Sequence, residues 1–101
     1  ISKAAYEAVE ITANGTASDN ATLIICNKGT ALAVGLNNGT TTGEYKIFTN
    51  KGAGVATISP TSFVSTGGTT SFAIAQNEAA QCVWDGSNWY LIGNQSVTTL
   101  A

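Results

Sequence analysis

The chain has 101 residues, enough for one domain, and only 10% are charged: four lysines, six carboxylates, no arginine and no histidine, for a net charge of -2. That balance excludes the basic footprint that nucleic acids require and disfavours anionic membrane surfaces. No apolar run nears the ~20 residues of a membrane span, and the lack of histidine removes the commonest general base near neutral pH.

Residues 1–8 read as an N-terminal arm, and residues 3–9 are the one stretch with the character of a short helix. A start at Ile1 rather than Met is expected of a chain that is cleaved, trimmed or given incompletely. Across residues 6–13, Val9 and Ile11 alternate with Glu10 and Thr12, the pattern of a half-buried strand. Asn14-Gly15 marks a turn. The run LIIC ending at Cys26 is continuously apolar and should be more deeply buried. Asn27-Lys28-Gly29 reads as a tight turn into residues 31–36, where Leu32, Val34 and Leu36 lie two apart.

Residues 37–43 (NNGTTTG) read as a flexible polar loop. In the strand over residues 44–50, Tyr45, Ile47 and Thr49 share a face. A turn over 51–54 leads to residues 55–59, with Val55, Thr57 and Ser59 on one face and Ala56 and Ile58 on the other. Pro60 lacks an N–H and should end that strand or lie at an edge. Residues 61–64 are extended, Gly67-Gly68 turns, and residues 70–75 place Phe72 and Ile74 together. A strand over 81–84, a hairpin loop at Asp85-Gly86-Ser87-Asn88, a returning strand over 89–92 and a tail over 95–101 complete the chain.

About eight short strands separated by turn signals predict an all-β fold: one antiparallel β-sandwich or small barrel of jelly-roll type over residues 1–101. No domain boundary and no clean internal repeat is visible. Large aliphatics and phenylalanine number 22, close to the roughly 20% below which chains tend to disorder. The core is therefore expected to be thin, and association with copies of the chain would help to complete it.

Cys26 and Cys82 each sit in an apolar run, which suits buried free thiols, with a disulfide as the alternative. Without histidine the pair makes no metal site. The six carboxylates are expected at strand ends and turns as solvated surface rather than as a glycosidase pair. Gly52 and Gly54 open no helix, so they do not cradle phosphate. Residues 85–88 read as a hairpin turn rather than a cation loop. Four N-x-S/T matches, at Asn14, Asn20, Asn38 and Asn94, would matter only in a eukaryotic secretory pathway. Neither a cofactor nor an enzymatic activity is expected. Trp84, Trp89 and Tyr90 form the richest cluster: a regular hairpin places the two tryptophans opposite each other, for packing in the core or at a subunit interface, and an exposed sugar-stacking platform is the alternative.

The cadence of the second half carries a resemblance. Gly43-Glu44-Tyr45-Lys46-Ile47-Phe48, then Val55-Ala56-Thr57-Ile58-Ser59-Pro60-Thr61, then Gly67-Gly68-Thr69-Thr70-Ser71-Phe72, close on Asp85-Gly86-Ser87-Asn88-Trp89-Tyr90-Leu91-Ile92-Gly93. This resembles a structural module of tailed-phage virions, of the type frequent in marine and cyanobacterial phages. The resemblance spans residues 43–93 well and 11–36 loosely. It implies a capsid decoration or cement protein, or a head- or tail-fibre domain that binds host-surface carbohydrate. The implied partners are the chain itself, as a homotrimer, and the major capsid protein or another virion protein, at the capsid surface. No nucleic acid or membrane partner is implied. The two cysteines and the NNGTTTG loop depart from the pattern, and no long shaft segment is present, which favours decoration over fibre. A pilus or surface-layer subunit is a third reading, for which no strand-donating terminus or leader is visible.

Overall fold

The computed structural model describes residues 7–65, 68–95 and 99–100. Those residues form strands and turns and no helix. The strands are β1 (Ala8–Ile11), β2 (Gly15–Thr16), β3 (Leu23–Cys26), β4 (Leu32–Leu36), β5 (Tyr45–Asn50), β6 (Ala56–Pro60), β7 (Phe63–Val64), β8 (Phe72–Ile74), β9 (Ala79–Trp84), β10 (Trp89–Gln95) and β11 (Thr99–Leu100). The fold is all-β, as the period-two spacing predicts. Most of the expected arm, part of the expected tail and half of the Gly67-Gly68 turn lie outside the described residues.

Two sheets result. Sheet A runs β1-β3-β5-β9-β10-β7 and sheet B runs β11-β8-β6-β4-β2. They are mixed, which corrects the antiparallel expectation. β1, β3 and β5 are parallel neighbours in sheet A, and β2, β4 and β6 are parallel neighbours in sheet B. From β1 to β6 the chain therefore alternates between sheets and returns each time beside the strand it left. It coils. Paired residues lie 15 apart between β1 and β3 (Ala8 with Leu23), 19 apart between β2 and β4 (Gly15 with Val34), and 24 apart from β3 to β5 and from β4 to β6 (Leu23 with Ile47, Leu32 with Ala56). Beyond β6 the pattern changes. β9 runs antiparallel to both β5 and β10, and β8 antiparallel to β6.

The coil explains why Asn27-Lys28-Gly29 and residues 51–54 are not hairpin turns. Each is a corner that carries the chain from sheet A to sheet B, and the second stacks on the first. Lys51 N–H donates to the Cys26 carbonyl and Gly54 N–H to the Lys28 carbonyl, each at 2.9 Å. A Cβ on Gly54 would lie 1.8 Å from the Thr30 carbonyl oxygen, so only glycine permits this backbone contact. Buried Asn50 locks the corner. Its amide donates to the Gly54 and Ile74 carbonyls, each at 2.9 Å, and its oxygen accepts from Gly52 N–H at 3.0 Å.

The core lies between the sheets. Ile24, Phe48, Cys82 and Trp89 from sheet A and Leu32, Val34, Ile58, Phe72 and Ile74 from sheet B belong to one buried cluster. Phe72 bridges the layers, with ring centroids 5.9 Å from Phe48 and 5.8 Å from Phe63. Pro60 is the last residue of β6, where its missing N–H disturbs the ladder least.

The inward face of β5 is Lys46, Phe48 and Asn50, and its more apolar face of Tyr45, Ile47 and Thr49 points outward. Two polar residues can enter because both are satisfied. Lys46 Nζ donates to the Asp19 carbonyl at 2.8 Å and to the Ala21 carbonyl, and lies 3.7 Å from Glu44 Oε2. Its aliphatic stem fills core space while the ammonium binds the loop before β3.

Candidate interaction surface

The terminal hairpin forms as its sequence specifies. Trp84 pairs Trp89 and Val83 pairs Tyr90 across β9 and β10. Asp85 closes the loop: its Oδ1 accepts from Ser87 N–H at 2.8 Å and from Asn88 N–H at 2.7 Å. Those backbone donors, Asn88 first, hold the Asp85 carboxyl below its usual value. Gly86 supplies the positive φ of 104°.

The three aromatic residues separate into two environments. Trp84 is 5% and Trp89 0% exposed, with ring centroids 5.3 Å apart. Trp89 Nε1 donates to the Asn37 carbonyl at 2.9 Å. Gly39 lies so close over Trp84 that a Cβ there would sit 2.4 Å from the indole Cγ. The NNGTTTG segment is thus a cover over the tryptophan pair rather than a free loop. Glu44 helps to hold it, its Oε1 accepting from Thr40 N–H at 2.9 Å. Neither indole offers a face to a sugar. Tyr90, by contrast, points outward and is 37% exposed. The negative charge of Asp85, which its hydroxyl meets, raises its pKa.

Tyr90 belongs to a larger outward face of sheet A, assembled by strand register. One row runs Val64, Tyr90, Val83, Tyr45. The next runs Ile92, Gln81, Ile47, Leu23. A third runs Ala79, Thr49, Ile25. Val64, Tyr90 and Ile92 are three of the four large hydrophobic residues most exposed among those described. No outward position described on β3, β5, β7, β9 or β10 carries a charge; on edge strand β1 the exposed Glu10 pairs Ile25, so the third row ends on a carboxylate. The outward face of sheet B differs: Ala33 and Gly35 on β4 and Thr57 and Ser59 on β6 are small or polar.

Sequence reasoning identified Tyr90 but not this face. The signal was present in LIIC, where both faces of β3 are apolar, and in β5, where Ile47 alternates with a lysine that turned out to face inward.

The chemistry elsewhere is structural. Cys26 pairs with Asn50 and Cys82 lies opposite Lys46. These partners are four residues apart on β5, about 13 Å at ~3.3 Å per residue, which puts the cysteines beyond disulfide reach. Both are free and buried, and burial raises their pKa to about 11 for Cys26 and about 12 for Cys82. Thiols held protonated in this way are poor nucleophiles. The carboxylates anchor turns: Asp19 accepts from Asn37 Nδ2 at 3.0 Å, Glu10 from Asn27 Nδ2 at 2.8 Å, and Glu78 from Ala75 N–H at 2.7 Å. Among the described residues no three His, Cys, Asp or Glu side chains group as metal ligands, and no helix is long and apolar enough to cross a membrane. No protein-family model matches the chain, and no curated protein is significantly similar to it.

Proposed function

We propose that this chain is a non-enzymatic structural protein of a virus particle, a decoration or cement subunit that works as a homo-oligomer on the phage head. The observation that carries the reading is the outward face of sheet A. It is broad and largely apolar, uncharged on the outward positions of β3, β5, β7, β9 and β10 with Glu10 at the β1 edge, a surface suited to contact rather than a cleft suited to chemistry. The interior supports the same reading. Buried Asn50, buried Lys46 and the Trp89 indole each direct their hydrogen bonds to holding the fold. The tailed-phage cadence of residues 43–93 supplies the particle context and implies a trimer, with the major capsid protein or another virion protein as the further partner.

The fibre-tip alternative, in which carbohydrate stacks on Trp84 and Trp89, loses support because both rings are buried beneath residues 37–43. The test is mass spectrometry of purified virus particles from the source of this sequence. The proposal expects the chain in intact particles at a copy number comparable to that of the shell subunits. Its absence from particles, or presence at only a few copies at a tail tip, would overturn it.

A further inference from the structure

We propose that Asn38 is a site of spontaneous chemical modification: the Gly39 nitrogen closes on its side chain, ammonia leaves, and the cover over the tryptophan pair ages to aspartate or isoaspartate at that position. This chemistry does not depend on the virion reading above.

The chain carries one triplet twice, Asn14-Gly15-Thr16 and Asn38-Gly39-Thr40. Asparagine before glycine suits the reaction, because glycine has no Cβ to hinder the approach of its nitrogen to the preceding side chain. With the same residues following, the folded environment separates the two sites. Asn14 is held: its Oδ1 accepts from Ala33 N–H at 2.9 Å, and Gly15 is paired with Val34 in the ladder of β2 and β4. Asn38 is exposed, and among the described residues neither its side chain nor the Gly39 N–H has a hydrogen-bond partner. The remaining candidates are tied down. Asn37 Nδ2 donates to Asp19 Oδ1 at 3.0 Å. Asp85, before Gly86, is engaged by the Ser87 and Asn88 N–H groups, which favour its ionised form, and a carboxylate is a poor electrophile.

The reaction needs only solvent. Hydroxide takes the proton of the Gly39 amide, and the nitrogen attacks Asn38 Cγ. The new C–N bond closes a five-membered succinimide while the Cγ–Nδ2 bond breaks and ammonia departs with a proton from water. Water then opens the ring. Opening at Cγ leaves aspartate in an ordinary main chain. Opening at the backbone carbonyl carbon leaves isoaspartate, whose main chain runs through Cβ and is longer by one atom. Either product adds a carboxylate.

Its place makes the change consequential. On one side the Asn37 carbonyl accepts from Trp89 Nε1 at 2.9 Å. On the other, Gly39 packs so closely on Trp84 that a Cβ would sit 2.4 Å from the indole Cγ. A longer main chain between these two contacts must shift at least one of them, so the tryptophans report the modification.

The test is peptide mapping by mass spectrometry on the full chain kept in warm, mildly alkaline buffer, once folded and once in guanidinium chloride. In denaturant the two triplets should convert at comparable rates. In the folded chain the peptide holding position 38 should gain about one mass unit, ammonia lost and water gained. It should do so at least about tenfold faster than the peptide holding Asn14, where a hydrogen bond and a ladder pairing must break first. Near-ultraviolet dichroism of the tryptophans should change in step. Asn38→Gln alters an exposed position and would have to close a larger ring, so it should keep both its mass and its tryptophan signal over the same period. A folded chain that stays unmodified at position 38 while the denatured chain converts, or that converts Asn14 as fast as Asn38, would overturn the proposal. So would conversion at position 38 that leaves the tryptophan dichroism unchanged.

Discussion

The chain before Thr61 and the chain after it solve one problem in two ways. From β1 to β6 each strand lies parallel to the strand two earlier, and the chain must cross to the other sheet before it can return. Its order depends on corners: Gly54 against Thr30, Asn50 bridging Gly52, Gly54 and Ile74. Beyond Thr61, β8 runs antiparallel to β6 and β9 antiparallel to β5 and β10, while the short β7 lies parallel to β10, and one four-residue loop joins β9 to β10 with Asp85 as its clasp. The coil rests on contacts between residues 15 to 24 apart, while the hairpin starts from contacts within a few residues. Substitutions should therefore act differently in the two regions.

The largest effect is expected where the regions meet. Trp89→Ala removes a fully buried ring that packs on Trp84 and donates to Asn37 in the cover between β4 and β5. It should cost about 3–5 kcal/mol, read by urea or thermal unfolding, a large share of the stability of a small domain. Asn50→Ala tests the corner of the coil and its tie to β8. It strands one donor and two carbonyls at the corner and should cost about 2–4 kcal/mol. If Asn50→Ala proves neutral, the corner is not what orders the coil. Gly39→Ala should cost about 1–3 kcal/mol by overpacking Trp84, with a change in near-ultraviolet dichroism from the tryptophans.

The smallest effect at neutral pH concerns the thiols. Their folded pKa values are raised from 9.0 to about 11 and about 12, so the unfolded chain ionises first. Stability should be full below about pH 9 and fall as pH rises toward 11. Cys82→Ala should flatten part of that decline relative to its own value at pH 7. An unchanged slope would mean that the thiol is more solvated than its position beside Lys46 implies.

Strand positions were legible because alternation is local: Leu32, Val34 and Leu36 face inward as their spacing requires. The Asp85 hairpin was legible because its turn chemistry lies within four residues. Pairing was not. Alternation looks the same in parallel and antiparallel strands, and Asn27-Lys28-Gly29 could equally begin a hairpin or a corner. What decides is whether residues 51–54 can stack on it, a contact visible only through Gly54 and the offset of 24. The face of β5 misleads for a similar reason. Lys46 enters the interior because the carbonyls of Asp19 and Ala21 wait there, and no local pattern announces them. Once Lys46 turns in, Tyr45 and Ile47 must turn out, and the apolar surface of sheet A follows.

The most direct test of the central claim, a structural protein that assembles through that surface, is electron cryomicroscopy of virus particles containing the chain. The account predicts the two-sheet fold repeated over the outside of the shell, with Val64, Tyr90 and Ile92 covered by another virion subunit and both tryptophans enclosed. Particles in which sheet A faces open solvent in every copy, or in which Trp84 and Trp89 are uncovered against a bound glycan, would contradict it.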